Sequence, residues 1–439
     1  MNLRTVDAAE MGRAEAGPVG AARGMYGVHI GAMLALVSLF AAMDRFNMAV
    51  LLVPIQKEFG ASDTAMGMLA GTAFSIVYAV AALPLARFAD VGCRRLLLSL
   101  SVAVWSATTA LCAVASSFWM LLLARIGVAA GEAGYGPATH SMIGDLYPRN
   151  RRGLAMALMQ VGSGLGAGAG AVYAGSVADA YGWRVAFLAM GAPGLLFALL
   201  LHFTVREPMR GAFDSAPPGP MPSTMESLVH IFSVPTIRRL VCAKIALNMA
   251  AGALLTWLPT FFMRVHHLSA SEMSAGYGFG LSVGTPLAAL FGGMLTDRLS
   301  RHGERWRCYY CSISLLCGVP LALATLLVPS PQIAFVCFFG MMLACGGLTA
   351  ISSVAALVAV RPDVRGMMTA IIGLCISVIG LGFGPLLVGA MNDSLRSAHG
   401  QESVRYTLLA IPVMWSVASL LFYLAGRTTD RDAACVAGK

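Results

Sequence analysis

Apolar runs of about 20 residues, the length that crosses roughly 30 Å of hydrocarbon, recur along this chain. There are twelve, at 27–53, 66–90, 96–115, 119–145, 154–178, 185–205, 239–265, 273–297, 309–328, 332–360, 366–391 and 404–426. Inside a bilayer no water is present to satisfy backbone amides, so a run of that length is held to one structure, the helix. The expected fold class is therefore all-α, a membrane protein of twelve transmembrane helices. Charged residues make up only 12% of the 439, about half the fraction usual in soluble domains. The first run follows a 26-residue polar start with no small-residue cleavage signature. It reads as a span rather than a removable signal peptide.

Basic residues fix the expected orientation. With the amino terminus in the cytoplasm, 22 of the 30 Lys and Arg residues fall on cytoplasmic segments. Five lie on the opposite side (Lys57, Arg184, Arg264, Arg396, Arg405) and three within the membrane. This asymmetry satisfies the positive-inside rule and places both termini in the cytoplasm. The net charge of +9 then follows from topology and attraction to anionic membrane lipids, with no nucleic acid partner required. Twenty-seven Arg against three Lys fits a GC-rich bacterial genome, hence a bacterial inner membrane. Most of the ten cysteines fall within spans, where a thiol packs as a small apolar group. Cys308 and Cys311 form a lone C-x-x-C without the second ligand pair that zinc needs. No metal and no cofactor is expected.

The chain repeats itself. Arg152-Gly153 opens span five and Arg365-Gly366 opens span eleven, 213 positions later; Asp90 after span two answers Asp297 after span eight at an offset of 207. Span five ends near Asp179 where span eleven reaches Asn392-Asp393. Such correspondence makes two six-span bundles related by an axis along the membrane normal. They occupy 27–205 and 239–426, joined by a proline-rich cytoplasmic linker at 206–238 and flanked by cytoplasmic tails at 1–26 and 427–439. In span five, Gly162, Gly166 and Gly170 form a ridge without side chains. It suits tight helix contact and is expected to pack across the moving interface between bundles.

Five charges sit inside the apolar runs: Asp44, Arg45, Arg125, Glu132 and Lys244. Each costs roughly 2.5–3.5 kcal/mol at membrane depth even on a lenient insertion scale, so each calls for a partner or a task. Arg125 and Glu132 are two turns apart and face the same way. Asp44 and Arg45 are adjacent on span one, with Asn47 one turn from Asp44. Low dielectric favours the neutral form of a carboxylate, and an opposed arginine favours the charged form. A buried acid so placed can switch between protonated and paired states as water access alternates; the alternative is a permanent ion-pair lock. Lys244 has no evident acidic neighbour, and Asn248 follows one turn later. Either it meets a carboxylate or phosphate in a central cavity, or it reaches the cytoplasmic headgroups. Tyr135 is a further candidate lining residue.

At this point the residues resemble a known group. GMLTDRLSR (293–301) is similar to the cytoplasmic loop motif of the major facilitator superfamily, and ARFADVGCRR (86–95) is a looser copy that keeps Asp90, Arg94 and Arg95. The stretch 124–153, with MDRFN (43–47) and GWRVAFLAMGAPG (182–194), resembles the spinster-like branch, known for lysolipid and sphingolipid-phosphate carriers. The resemblance implies the superfamily's fold of two pseudo-symmetric six-helix bundles. It also implies roles in proton coupling for Asp44 and Glu132, and in substrate recognition for Arg45 and Arg125. From the residues themselves Lys244, Asn248, Tyr135 and Asn47 join the binding set. The loop acids Asp90 and Asp297, with Arg94, Arg95, Arg298 and Arg301, form either a cytoplasmic gate or a plain topogenic cap. Asp90 precedes span three, so it is expected to meet that helix's amino-terminal dipole and to pair with Arg94 or Arg95.

Enzyme readings fail on context. Gly280–Gly284 spells G-x-S-x-G within a spanning run, without the strand a nucleophile elbow needs. No Walker A sequence supports ATP-driven pumping. The expected function is secondary active transport, coupled to protons by alternating access, of an amphipathic and anionic small molecule or lipid-like solute. The expected state is a monomer. An uncoupled facilitator, a multidrug-type efflux carrier and a non-transporting ligand sensor stand as the alternatives.

Overall fold

The computed structural model describes residues 18–210, 233–360 and 364–437. Most of the expected amino-terminal tail (1–26) and of the linker (206–238) lies outside the described residues. Among the described residues twelve principal helices run in chain order: α1 Pro18–Phe59, α2 Asp63–Val91, α3 Arg94–Cys112, and α4 in two halves, Phe118–Glu132 and Tyr135–Leu146. They continue with α5 Arg149–Tyr181, α6 Trp183–Thr204, α7 Pro235–Val265, α8 Ala270–His302 and α9 Arg305–Leu327. Last come α10 Pro331–Val358, α11 from Arg365 to His399, and α12 Ala410–Ala437. Ten stretches are individually long and apolar enough to cross a membrane. The halves of α4 are each too short to qualify, and Ile371–Cys435 holds both α11 and α12.

The interruptions have local causes. Pro137 lacks an amide hydrogen and its ring collides with the carbonyl four residues back, at Ala133, so α4 breaks there and restarts at Tyr135. In α10 the break falls at Gly346-Gly347, with Gly347 in the left-handed region at φ 80°. Wider π turns occupy Met68–Thr72 in α2, Gly280–Gly284 in α8 and Ile376–Gly382 in α11. In the latter two, Pro286 and Pro385 follow within four residues of the turn and displace the carbonyls of Ser282 and Leu381. The G-x-S-x-G sequence is thus a π turn inside a helix.

The last helix runs past the boundary expected at 426. Its final turns cap other helices. The Asp432 carboxylate accepts from the Thr236 amide (3.2 Å) and hydroxyl (2.7 Å) at the start of α7, and Asp430 accepts from the Arg305 amide (3.0 Å) at the start of α9. Capping of this kind stabilises a helix start by about 1 kcal/mol.

Helices α1–α6 form one bundle and α7–α12 the other, and they meet at the end away from the arginine-rich loops. There α5 packs on α8, α2 on α11, and α1 on α7. The hydrogen bonds across this seam repeat with the chain's own symmetry. Asp179, ending α5, accepts from the amides of Ala270 (3.3 Å) and Ser271 (2.7 Å) at the start of α8. Asp393, at the equivalent place on α11, accepts from the amides of Asp63 (2.9 Å) and Thr64 (2.8 Å) at the start of α2, and from the Thr64 hydroxyl (2.6 Å). Each bundle caps a helix of the other with a carboxylate, the charge a helix amino terminus favours. Arg264 of α7 adds a two-pronged pair with the buried Asp63 (2.7 and 2.8 Å) and also donates to Gln56. Arg264 and Asp63 thus tie α7 to α2.

Glycine lets the backbones close. A methyl group on Gly168 of α5 would lie 2.3 Å from the Gly278 carbonyl oxygen of α8, and one on Gly389 of α11 would lie 2.4 Å from that of Asp63. The ridge Gly162, Gly166, Gly170 is not at this interface, contrary to the expectation from sequence. It packs within the first bundle, where added methyl groups would meet Ala35, Leu39 and Met43 of α1. The interface is made by the other glycine stripe of α5, Gly164, Gly168 and Gly175, against Pro286, Gly278 and Ala270 of α8. Two residues along a helix is a rotation of about 200°, which turns one stripe to the opposite face.

Candidate functional site

Four of the five intramembrane charges meet between α1 and α4 as two crossed ion pairs. Arg125 donates to the Asp44 carboxylate at 2.7 Å, and both groups are buried. Arg45 donates to a single oxygen of Glu132 through two nitrogens, at 2.7 and 2.8 Å. The pairs differ in exposure: Glu132 is fully enclosed, whereas the Arg45 side chain is 38% exposed. The break after Glu132 lets α4 turn at the level of this pair. Gly127, Gly131 and Gly134 do not face substrate space; they admit Thr108, Trp105 and Ser101 of α3.

Aromatic and hydroxyl groups complete the cluster. The Phe74 ring of α2 lies 5.3 Å from the Arg45 guanidinium and 5.5 Å from that of Arg125, and Tyr78 lies 5.3 Å from Arg45. Such contacts contribute about 0.5–2 kcal/mol each as they lose water. Thr109 of α3 donates to the second oxygen of Asp44 at 2.8 Å. Several polar atoms here have no protein partner: Glu132 Oε1, Arg125 Nε, Thr139 Oγ1 and both carboxamide atoms of Asn47. Buried and unmade bonds of this kind cost about 1–3 kcal/mol each. Tyr135 packs edge-on against Trp105, with ring centroids 5.8 Å apart.

Phe74, Tyr78 and Thr109 were not singled out from sequence. Nothing in an apolar run marks one aromatic among many. The available signal was the i, i+4 spacing of Phe74 and Tyr78, which puts both on one face of α2.

Lys244 lies apart, in the second bundle. Its ammonium donates to the Thr349 carbonyl (3.3 Å) and the Ser353 hydroxyl (2.5 Å) of α10, and among the described residues no carboxylate is within ion-pair distance. Asn248 accepts from Thr349 Oγ1 at 3.3 Å. The side chain is buried and turned toward α10 rather than along its own helix toward the headgroups. By the repeat, α7 and α10 correspond to α1 and α4. The polar contact of each bundle is therefore made by the equivalent pair of helices.

The loop residues take partners from their own bundle or from the start of the linker. Arg94, fully buried, pairs with Asp145 and with Glu207 (2.7 Å), and not with Asp90 as expected. The Arg95 amide also donates to Glu207, at 2.8 Å. Burial opposes charge on Glu207, but the Arg95 amide and the Arg94 guanidinium outweigh it and hold its carboxyl below the usual glutamate range. Arg210 caps the end of α2 by donating to the carbonyls of Ala89, Asp90 and Gly92. Asp297 is exposed and pairs with Arg307 at 3.1 Å; Arg298 and Arg301 are exposed. The end of the molecule that carries these loops is the open one, since the seam lies opposite.

Known proteins resemble the chain in both sequence and fold. The family model for the Major Facilitator Superfamily matches residues 34–385. An MFS-type efflux pump of Mycolicibacterium smegmatis is 31% identical, over 91% of this chain and 92% of its own. The sphingosine-1-phosphate transporter SPNS2 of Danio rerio is 28% identical, over 89% of this chain and 83% of its own. Among solved structures, a bacterial homolog of the human lysosomal transporter Spinster superposes with a TM-score of 0.83 at 27% identity. That structure is inward-facing and unoccupied, and the match covers 93% of this chain and 98% of that one. Its inward-facing, occupied form gives 0.80. The chain belongs to the Major Facilitator Superfamily of membrane transporters, in its spinster-like branch.

Proposed function

We propose that the chain moves an amphipathic, anionic, lipid-like solute across a bacterial inner membrane and couples that movement to protons. Both termini lie in the cytoplasm in this reading, and the chain acts as a monomer. The observation that carries it is the asymmetry of the Arg45–Glu132 pair. The acid is enclosed and uses one oxygen, while the base is partly open and rests against two rings. An arriving anion competes with Glu132 for Arg45. Glu132, left without its counter-charge in a low dielectric, takes a proton at the oxygen that has no partner. Binding of anion and binding of proton thereby favour one another. Arg125 and Asp44 form the second pair of the cluster, with Thr109 also donating to the Asp44 carboxylate. Phe74 and Tyr78 offer an apolar wall to the solute's hydrocarbon part. Lys244 and Asn248 supply the second bundle's side of the site when the bundles close around it. The name of the Danio rerio relative supports a phosphorylated lipid-like solute, and that of the Mycolicibacterium smegmatis relative supports export.

Closure at the arginine-rich end would bring Asp90 and Asp297 toward the opposite bundle and gate that side. The bundle boundaries at 27–205 and 239–426 are the rigid bodies that rock. The test is uptake into proteoliposomes under an imposed pH gradient, screened across lysolipids, aromatic acids and sugar acids. Glu132→Gln should abolish gradient-driven accumulation and spare solute exchange. Full accumulation by that variant removes Glu132 from the coupling mechanism.

A further inference from the structure

The positive-inside rule depletes cations from the face opposite the arginine-rich loops, where only five remain. Three of them, Lys57, Arg264 and Arg396, line one cavity of about 590 Å³. They come from the outer ends of α1, α7 and α11. Gln56, His267 and Gln401 add donors, and no carboxylate lines the space. The acids nearby are engaged elsewhere: Glu58 with Arg184, Glu402 with Arg405, and Asp393 with the start of α2. Among the described residues Lys57 and Arg396 have no carboxylate within ion-pair distance, and both are exposed. His267 is the one non-glycine residue among them with a left-handed backbone, at φ 54°. Strain of that kind costs about 1–3 kcal/mol and gathers at ligand clamps. The cavity gathers three cations, of which Arg264 has a counter-charge in Asp63 while Lys57 and Arg396 have none among the described residues.

Arg264 belongs to this cavity and to the seam at once. Arg264 lines the space, and its guanidinium holds Asp63 and Gln56. An anion seated among Lys57, His267 and Arg396 faces the same guanidinium that Asp63 uses. Asp63 and Gln56 take three of its five donors; a newcomer that takes the remaining ones shares the same positive charge with Asp63, draws Arg264 outward and weakens the tie between α7 and α2.

We propose that this cavity is an anion-binding site on the outer face, taking a phosphate-bearing group, and that its occupancy loosens the outer seam through Arg264. The phosphate is that of a soluble anion or of a lipid headgroup. The inference does not depend on proton coupling, and its test uses no gradient. Full-length protein in phosphatidylcholine nanodiscs is titrated with pyrophosphate at constant ionic strength set with chloride. Amide hydrogen exchange is followed over residues 60–72. The expected result is saturable binding with faster exchange in that segment, and at least a tenfold weaker Kd in the Lys57→Gln/Arg396→Gln variant. Both substitutions are at exposed positions, and circular dichroism checks folding. Replacing part of the lipid by phosphatidylglycerol identifies the source. A weaker pyrophosphate Kd in the wild type then assigns the site to lipid headgroups, and an unchanged Kd assigns it to soluble anions. Equal Kd in wild type and double variant overturns the site. Unchanged exchange at saturating pyrophosphate overturns the link to Arg264.

Discussion

Removing the Asp393 carboxylate isolates the energy that keeps the outer seam shut. In Asp393→Ala the amides of Asp63 and Thr64 and the Thr64 hydroxyl lose an acceptor now 2.6–2.9 Å away. These donors are shielded only while the bundles touch. Once the seam parts, water satisfies them, so the loss falls on the closed state alone. Bonds to a charged group contribute about 1.5–3 kcal/mol each at best. The group is only part-buried and water replaces it on opening, so about 2–3 kcal/mol is expected for the three together, the charge–helix interaction included. At 1.36 kcal/mol per tenfold this favours the population with the seam parted by about 30- to 150-fold. Asp179→Ala loses two bonds, one of them long at 3.3 Å, and should shift it by only about 5- to 30-fold. Pulsed electron spin resonance between labels at Tyr181 and Gln401, one on each bundle, reads the separation. The exposed Cys242, Cys317 and Cys435 are first replaced. Distance distributions that coincide for wild type and Asp393→Ala, in folded protein, refute the idea that these carboxylates hold the seam.

Two further outcomes follow from the geometry. Gly168→Val places side-chain atoms where the Gly278 carbonyl and Ser282 now lie, an overlap costing about 1–3 kcal/mol, so the same labels should report a wider outer separation and transport should fall. The clasp of Glu207 on Arg94 and Arg95 should respond to acid. Its folded-state pKa is depressed, so its contribution to stability is present above the ordinary glutamate value and is lost as pH falls through the folded value. Thermal unfolding followed from pH 7 to pH 4 should therefore show a smaller loss of Tm in Glu207→Gln than in wild type, and parallel losses would place the acid sensitivity elsewhere.

The course of the chain was legible because lipid leaves helices as the one solution for long apolar runs, and the repeat of Arg152-Gly153 and Asp90 divided it into halves. The identity of the buried charges was legible for the same reason: a charge stands out against hydrocarbon. Their pairing was not. Each acid could in principle be held by either arginine, and which combination forms depends on the rotation of α1 against α4. Phe74 and Tyr78 were hidden by being apolar in an apolar span. In α5, two glycine stripes on opposite faces are equally plain in sequence, and only packing decides that Gly168 meets the other bundle while Gly166 meets α1. Arg94 was expected to serve Asp90, yet its partners Asp145 and Glu207 come from 51 and 113 residues away.

Asp44, Arg45, Arg125 and Glu132 cancel to zero formal charge. One hydrogen ion added to that quartet leaves it with a single excess positive charge, which a monovalent guest neutralises. Under the proposed coupling, a complex loaded in this way crosses without moving net charge through those four groups, so membrane voltage has no purchase on them, and the acidity difference together with the solute's own gradient sets the direction of flow. A divalent guest breaks that balance and makes its passage sensitive to voltage.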